Sequence, residues 1–123
     1  MNKAIKAAGV LGAVAVLTGA FGAHGLKSVL DEYSLGIWHT AVLYQFVHAL
    51  ALFALGFAPA QQPWRVSYWA WIIGTLLFSG SLYSLALSAP KIVGIITPVG
   101  GIAFCIGWFN LLRFNGGEIK NNN

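Results

Sequence analysis

Four stretches of the chain, Ala7 to Ala23, Ile37 to Ala58, Val66 to Pro90 and Ile92 to Leu112, contain no Asp, Glu, Lys or Arg. A hydrocarbon core of roughly 30 Å takes about 20 helical residues, so the stretches have the length to cross a bilayer. Water is a poor solvent for such a sequence. Of 123 residues, 58% are hydrophobic and 8% are charged, too few charges to coat a globule of this size, whereas a lipid-facing surface needs none. The expected fold class is all-α: an integral membrane four-helix bundle.

The segments between the runs agree with this division. Asp31, Glu32, Ser34 and Gly36 separate the first two runs, and Pro59, Gln61, Gln62, Pro63 and Arg65 separate the second from the third; both have loop composition. The Ala89-Pro90-Lys91 joint is much tighter and predicts an antiparallel hairpin of helices three and four. Residues 1–115 are thus expected to form one domain with spans over about 5–24, 37–58, 66–89 and 92–113, followed by a polar tail over 116–123. From Leu26 to Tyr33 the apolar residues Leu26, Val29, Leu30 and Tyr33 fall at i, i+3, i+4 and i+7. That spacing predicts a short amphipathic surface helix between helices 1 and 2.

Lys3, Lys6, Arg65, Arg113 and Lys120 fall on one side of this threading, and Lys27 and Lys91 on the other. The positive-inside rule then puts both termini in the cytoplasm. The rival reading of the amino end is a cleaved signal peptide, since Lys3 and Lys6 precede an apolar stretch that ends in small residues. The basic residues are scattered at run ends and form no stripe, which excludes nucleic acid as a partner. Cys105 is the single cysteine, so neither an intramolecular disulfide nor a thiolate metal cluster is available.

Helices in lipid associate through small residues that let backbones approach. Gly12, Gly19 and Gly22 on helix one, Gly80 and Ser84 on helix three, and Gly101 on helix four supply such positions, and helices one, three and four are expected to pack closely through them. Pro98 is expected to kink or thin helix four. The tryptophans Trp38, Trp64, Trp69, Trp71 and Trp108 read as anchors at the bilayer boundary.

Helix two is chemically the richest. Thr40, Tyr44 and His48 recur every four residues and Gln45 lies beside His48, so this face is expected to point into the bundle. A buried imidazole near the midplane needs a partner, for which Tyr44, Gln45 or a serine of helix three is at hand. His39 and His48 are nine residues apart, about 900° of turn and roughly 13 Å of rise, and cannot share one ion. His24 and His39 share the outer side with Lys27, Asp31 and Glu32, but their spacing matches no standard metal site, and no metal is predicted. The candidate functional residues are therefore His24, Lys27, His39, Thr40, Tyr44, Gln45 and His48. No carboxylate lies within a span, and there is no phosphate-cradling loop, Gly-x-Ser-x-Gly or His-Glu-x-x-His, so no catalytic residue is assigned.

Gly19-Ala20-Phe21-Gly22-Ala23-His24-Gly25-Leu26, then Trp38, Thr40-Ala41-Val42, Tyr44-Gln45 and His48-Ala49-Leu50, together with Gly80-Ser81-Leu82-Tyr83 and Thr97-Pro98-Val99-Gly100-Gly101, resemble the YgdD/YwdK-like small inner-membrane proteins. That family of uncharacterised bacterial proteins has a mitochondrial transmembrane relative. The resemblance covers nearly the full length and implies a multi-pass plasma-membrane protein, and its hallmark residues map onto His24, Tyr44, Gln45 and His48. It brings no activity or substrate. The leading expectation is an accessory, scaffolding or assembly subunit in the lipid bilayer, as a homo-oligomer or beside another membrane protein. The alternatives are a small transporter or channel with a polar path past helix two, and a haem, metal or quinone-binding redox protein. No cofactor is predicted outright.

Overall fold

The computed structural model describes residues 2–115; the polar tail over 116–123 lies outside the described residues. All regular structure within them is helical. The elements are α1 (Asn2–His24), α2 (Glu32–Leu55), α3 (Arg65–Ala86) and α4 (Ile96–Asn110), with 3-10 segments Lys91–Ile95 before α4 and Leu111–Arg113 after it. Counting its flanking 3-10 turns with α4, each of the four is long and apolar enough to cross a membrane.

The connections follow from local chemistry. Asp31, in extended conformation, caps α2 by accepting a hydrogen bond from the Ser34 backbone N–H at 2.8 Å. This start at Glu32 overturns the expected surface helix. Residues 25–30 form a run of turns, in which the Leu26 N–H returns to the Phe21 carbonyl at 3.0 Å. With Asp31 diverted into capping α2, too few residues remain between the helices for another one. Leu26 is instead buried against Trp38 and Ala86.

At the end of α3, Ser88 adopts a left-handed conformation with φ 78°. The Ala89 N–H bonds the Ser84 carbonyl at 2.9 Å and the Ser88 N–H bonds the Leu85 carbonyl at 3.1 Å. This is the Schellman closure, and it explains the sharp α3–α4 joint. Pro98 falls in the first turn of α4, where its missing N–H is not required. The thinning expected at Pro98 is instead found just before α4, in the 3-10 segment.

The helices pack chiefly with their neighbours in sequence: α1 on α2, α2 on α3 and α3 on α4. α1 and α4 flank the central α2–α3 pair, so the expected close packing among helices one, three and four holds only for α3 with α4. That pair meets at glycines. A Cβ on Gly100 would collide with the Phe78 backbone, one on Gly74 with the Phe104 ring, and one on Gly107 with the Trp71 indole. On the other side, Gly22 receives the Trp38 ring and Gly19 lies against Val42. Gly12 and Gly101 make only ordinary contacts, with Ala49 and Phe78 at 3.9 Å, and Gly80 faces open space. Ser84 is exposed and bonds the carbonyl of Gly80 in its own helix, so the small-residue strip expected on α3 is not a helix contact.

Three of the tryptophans also depart from expectation. Trp38, Trp64 and Trp71 belong to the core, Trp71 with 1% of its surface exposed. Burial of these large rings outweighs their interfacial preference.

Candidate functional site

The buried stripe of α2 runs through Trp38, Ala41, Gln45, His48, Ala49, Leu52 and Leu55. Gln45 and His48 lie on it as expected, while Thr40 and Tyr44 are displaced toward the outside. Thr40 is exposed and donates to the Gly36 carbonyl of its own helix at 3.0 Å. Tyr44 is 40% exposed, with its ring 4.6 Å from that of Phe78. A strict four-residue repeat advances about 400° per step, so Thr40 and Tyr44 drift from a line that passes through His48.

Gln45 is the hub of one polar chain. Its Nε2 donates to the Leu11 carbonyl of α1 at 2.8 Å, and its Oε1 accepts from the Tyr83 phenol of α3 at 2.7 Å. The Tyr83 oxygen lies 3.0 Å from Thr18 Oγ1 on α1. Tyr83 spends its one proton on Gln45, so the Thr18 hydroxyl is the donor toward Tyr83, sharing its proton with the Ala15 carbonyl at 3.2 Å. Trp38 Nε1 adds a bond to the Thr18 carbonyl at 2.8 Å. Three helices are thereby fastened at one level.

His48 forms the second centre. Trp108 Nε1 of α4 donates to His48 Nε2 at 3.0 Å, and Nδ1 lies 2.8 Å from the Tyr44 carbonyl. An indole N–H can only donate, so Nε2 is the acceptor and the proton sits on Nδ1, donated to Tyr44. The imidazole is a neutral tautomer with both nitrogens occupied. Its ring stacks on Phe104 at 3.6 Å and 6°, with Trp71 at 6.3 Å and Trp108 at 5.8 Å.

A third set joins α2, α3 and α4. Ser79 donates to the Ala41 carbonyl at 2.7 Å, and Ser67 to the Gly107 carbonyl at 2.7 Å. Asn110 Nδ2 donates both to Ser67 Oγ at 2.9 Å and to the Pro63 carbonyl at 2.8 Å. The hydroxyls of Ser81 and Thr97 bond each other across the hairpin. Among the described residues, two buried polar atoms have no partner: Trp71 Nε1, pressed against Gly107, and Asn110 Oδ1.

The family model described as a protein of unknown function, DUF423, matches residues 18–101, which include Thr18, Gln45, His48 and Tyr83 but not Leu11 or Trp108, to which Gln45 and His48 are tied. A UPF0382 membrane protein of Staphylococcus aureus strain RF122 is 45% identical over 109 residues, covering 84% of this chain and 89% of the relative. This chain belongs to the UPF0382 family. The UPF0382 membrane protein YwdK of Bacillus subtilis is 42% identical over 111 residues, covering 84% of this chain and 90% of the relative. A relative from Haemophilus influenzae is 40% identical over 112 residues, covering 89% and 90%. No solved structure matches.

In this UPF0382 chain the remaining candidates do not converge. His24, Lys27 and His39 are each exposed. Among the described residues no three of His, Cys, Asp and Glu gather around a point where a metal ion would sit, so His24, His39, Asp31 and Glu32 are not brought together into such a cluster. Haem ligation by His48 would require breaking its bond to Trp108 or its bond to the Tyr44 carbonyl. The residues that sequence reasoning missed are Thr18, Tyr83, Ser67, Asn110 and Trp108. Asn110 carried a usable signal, because an amide inside an apolar run needs a partner. Trp108 gave none, since an interfacial tryptophan and a core donor look alike in sequence.

Proposed function

We propose that this UPF0382 protein is an accessory or assembly subunit of the bacterial plasma membrane, a rigid bundle that docks a second transmembrane element. The observation that carries this reading is the consumption of α2's buried polar groups: Gln45 and His48 are spent on ties to α1, α3 and α4. A transporter or an enzyme needs such groups free for its cargo or its chemistry. The exterior suits docking. A groove of about 230 Å³ between α1 and α2 is lined by Ile5, Ala8, Gly9, Gly12, Phe46, Ala49, Leu50 and Phe53, an apolar channel in which another helix can approach a smooth backbone. In this reading the termini lie in the cytoplasm, since Lys3, Lys6, Arg65 and Arg113 share one side.

The test is cross-linking in native membranes followed by native mass spectrometry. A Cβ at Gly9 meets nothing within 4 Å and Gly9 lines the groove, so Gly9→Leu projects into it, and an unchanged thermal unfolding midpoint checks that the bundle stays intact. Loss of the homo-oligomer or of a co-purifying subunit in Gly9→Leu is the expected result. Unchanged assembly would sink the reading, and so would solute flux through proteoliposomes that disappears in His48→Ala.

A further inference from the structure

Beside the helical ties lies a cleft whose charge the described residues leave unbalanced. It measures about 170 Å³ and is lined by Gln62, Pro63, Trp64, Arg65, Val66 and Arg113, where the start of α3 meets the end of the α4 segment. Arg65 and Arg113 are both exposed. The described carboxylates, Asp31 and Glu32, stand at the opposite end of α2, about 35 Å away at 1.5 Å per residue. That is several times the roughly 8 Å over which salt screens a charge in the cell. Two guanidinium groups therefore share one small cleft with no anion from these residues to neutralise them.

The cleft is also fixed in shape. Gln62 exchanges two bonds with the backbone of Asn115, Nε2 donating to its carbonyl at 3.2 Å and Oε1 accepting from its N–H at 2.9 Å. Asn110 holds the Pro63 carbonyl. These clamps tie the α2–α3 loop to the chain on both sides of Arg113. The Arg65 guanidinium is further steadied over the Trp64 ring, 4.9 Å from its centroid. Flanked by span ends, the cleft lies at the depth of lipid headgroups.

We infer that this cleft binds a phosphate group, and specifically the phosphate of an anionic glycerophospholipid, held between Arg65 and Arg113. The planar guanidinium fork matches phosphate oxygens bidentately, and two of them favour a ligand with net negative charge over a zwitterion. The inference stands apart from the docking proposal, because it involves neither the α1–α2 groove nor Gly9.

The test uses the full chain in detergent, with phosphatidylglycerol and phosphatidylcholine titrated separately and retention read by native mass spectrometry. Phosphatidylglycerol is expected to be retained in preference to phosphatidylcholine. Arg65→Gln with Arg113→Gln should weaken that retention by about tenfold or more, the scale of a charge-assisted hydrogen bond. Lys27→Gln with Lys91→Gln, on the other face, should leave it unchanged. Arg65→Lys with Arg113→Lys preserves charge, and hence the fold if charge is needed for it, and should lose part of the retention through loss of the fork. Glycerol phosphate that competes only in the wild-type chain would keep the phosphate site and move its source to the aqueous phase. Equal retention by the Arg→Gln pair, or equal loss in the Lys→Gln pair, would overturn the assignment.

Discussion

At the scale of single residues, His48 shows how a membrane protein keeps an imidazole at depth without exposing it to lipid. Trp108→Phe preserves a ring of similar shape and removes the donor, leaving His48 Nε2 buried and unpaired. Interhelical hydrogen bonds measured in membranes average about 0.6 kcal/mol and reach about 1.7 kcal/mol, so a loss of about 1 kcal/mol is expected, read as a lower midpoint of thermal unfolding in detergent. Tyr83→Phe should cost more, since it cuts the bond to Gln45 and the contact with Thr18 together. The left-handed Ser88 offers the opposite sign. Ser88→Gly relieves a Cβ penalty of about 1 kcal/mol and should raise the same midpoint; a drop would mean that the serine side chain has a role the backbone conformation does not reveal. His48 and Gln45 were legible in the sequence as groups in need of partners, because polarity inside an apolar run announces itself. The identity of those partners was not legible, since it depends on which helix lies opposite and at what height.

At the scale of elements, the α3–α4 contact depends on glycine at positions the four-residue spacing of small side chains does not single out. Gly100→Ala places a Cβ against the Phe78 backbone, and the overpacking should cost about 1–3 kcal/mol. Gly80→Ala, in open space, should be neutral or slightly stabilising; equal damage from both would refute the contact assignment. The small-residue rule therefore found the α3–α4 pair but assigned α1 the wrong neighbour and did not always find the right faces, because it carries no information on which way a helix is rotated. The start of α2 has its own signature. The backbone N–H of Ser34, and then its side chain, hold the Asp31 carboxyl below the ordinary carboxylate range. A lowered value means that the cap contributes fully above the unfolded value of about 3.9 and is lost as pH falls through the folded one. Protection factors of the first-turn amides of α2, measured relative to the intrinsic exchange rate at each pH, should accordingly fall in acid, and Asp31→Asn, which still caps, should remove that pH dependence. The same cap explains why the amphipathic pattern from Leu26 to Tyr33 misled: periodicity is blind to a residue that starts the next helix.

At the scale of the whole molecule, the number of spans and the hairpin were legible because charge and length decide them almost without competition from other forces. The order with α2 and α3 central was not, because four smooth apolar helices can be ordered in several ways with similar burial. The polar ties predict a collective property. Since each flanking helix is bonded to both central ones, the bundle should unfold in a single transition, with near-UV and far-UV circular dichroism signals coincident. Early release of α1 or α4 would show that the ties are independent.

The first two helices already hold a complete set of bonds between them: Gln45 to Leu11 and Trp38 to Thr18 lie wholly within the first 55 residues. That pair can therefore close while the ribosome is still making the rest of the chain. Tyr83 arrives later, to a Gln45 carbonyl that has been waiting for it, and the hairpin ending in α4 then brings Trp108 to His48. The order of synthesis and the order of packing coincide, so translation itself can guide assembly, with no need for a long search among helices already inserted.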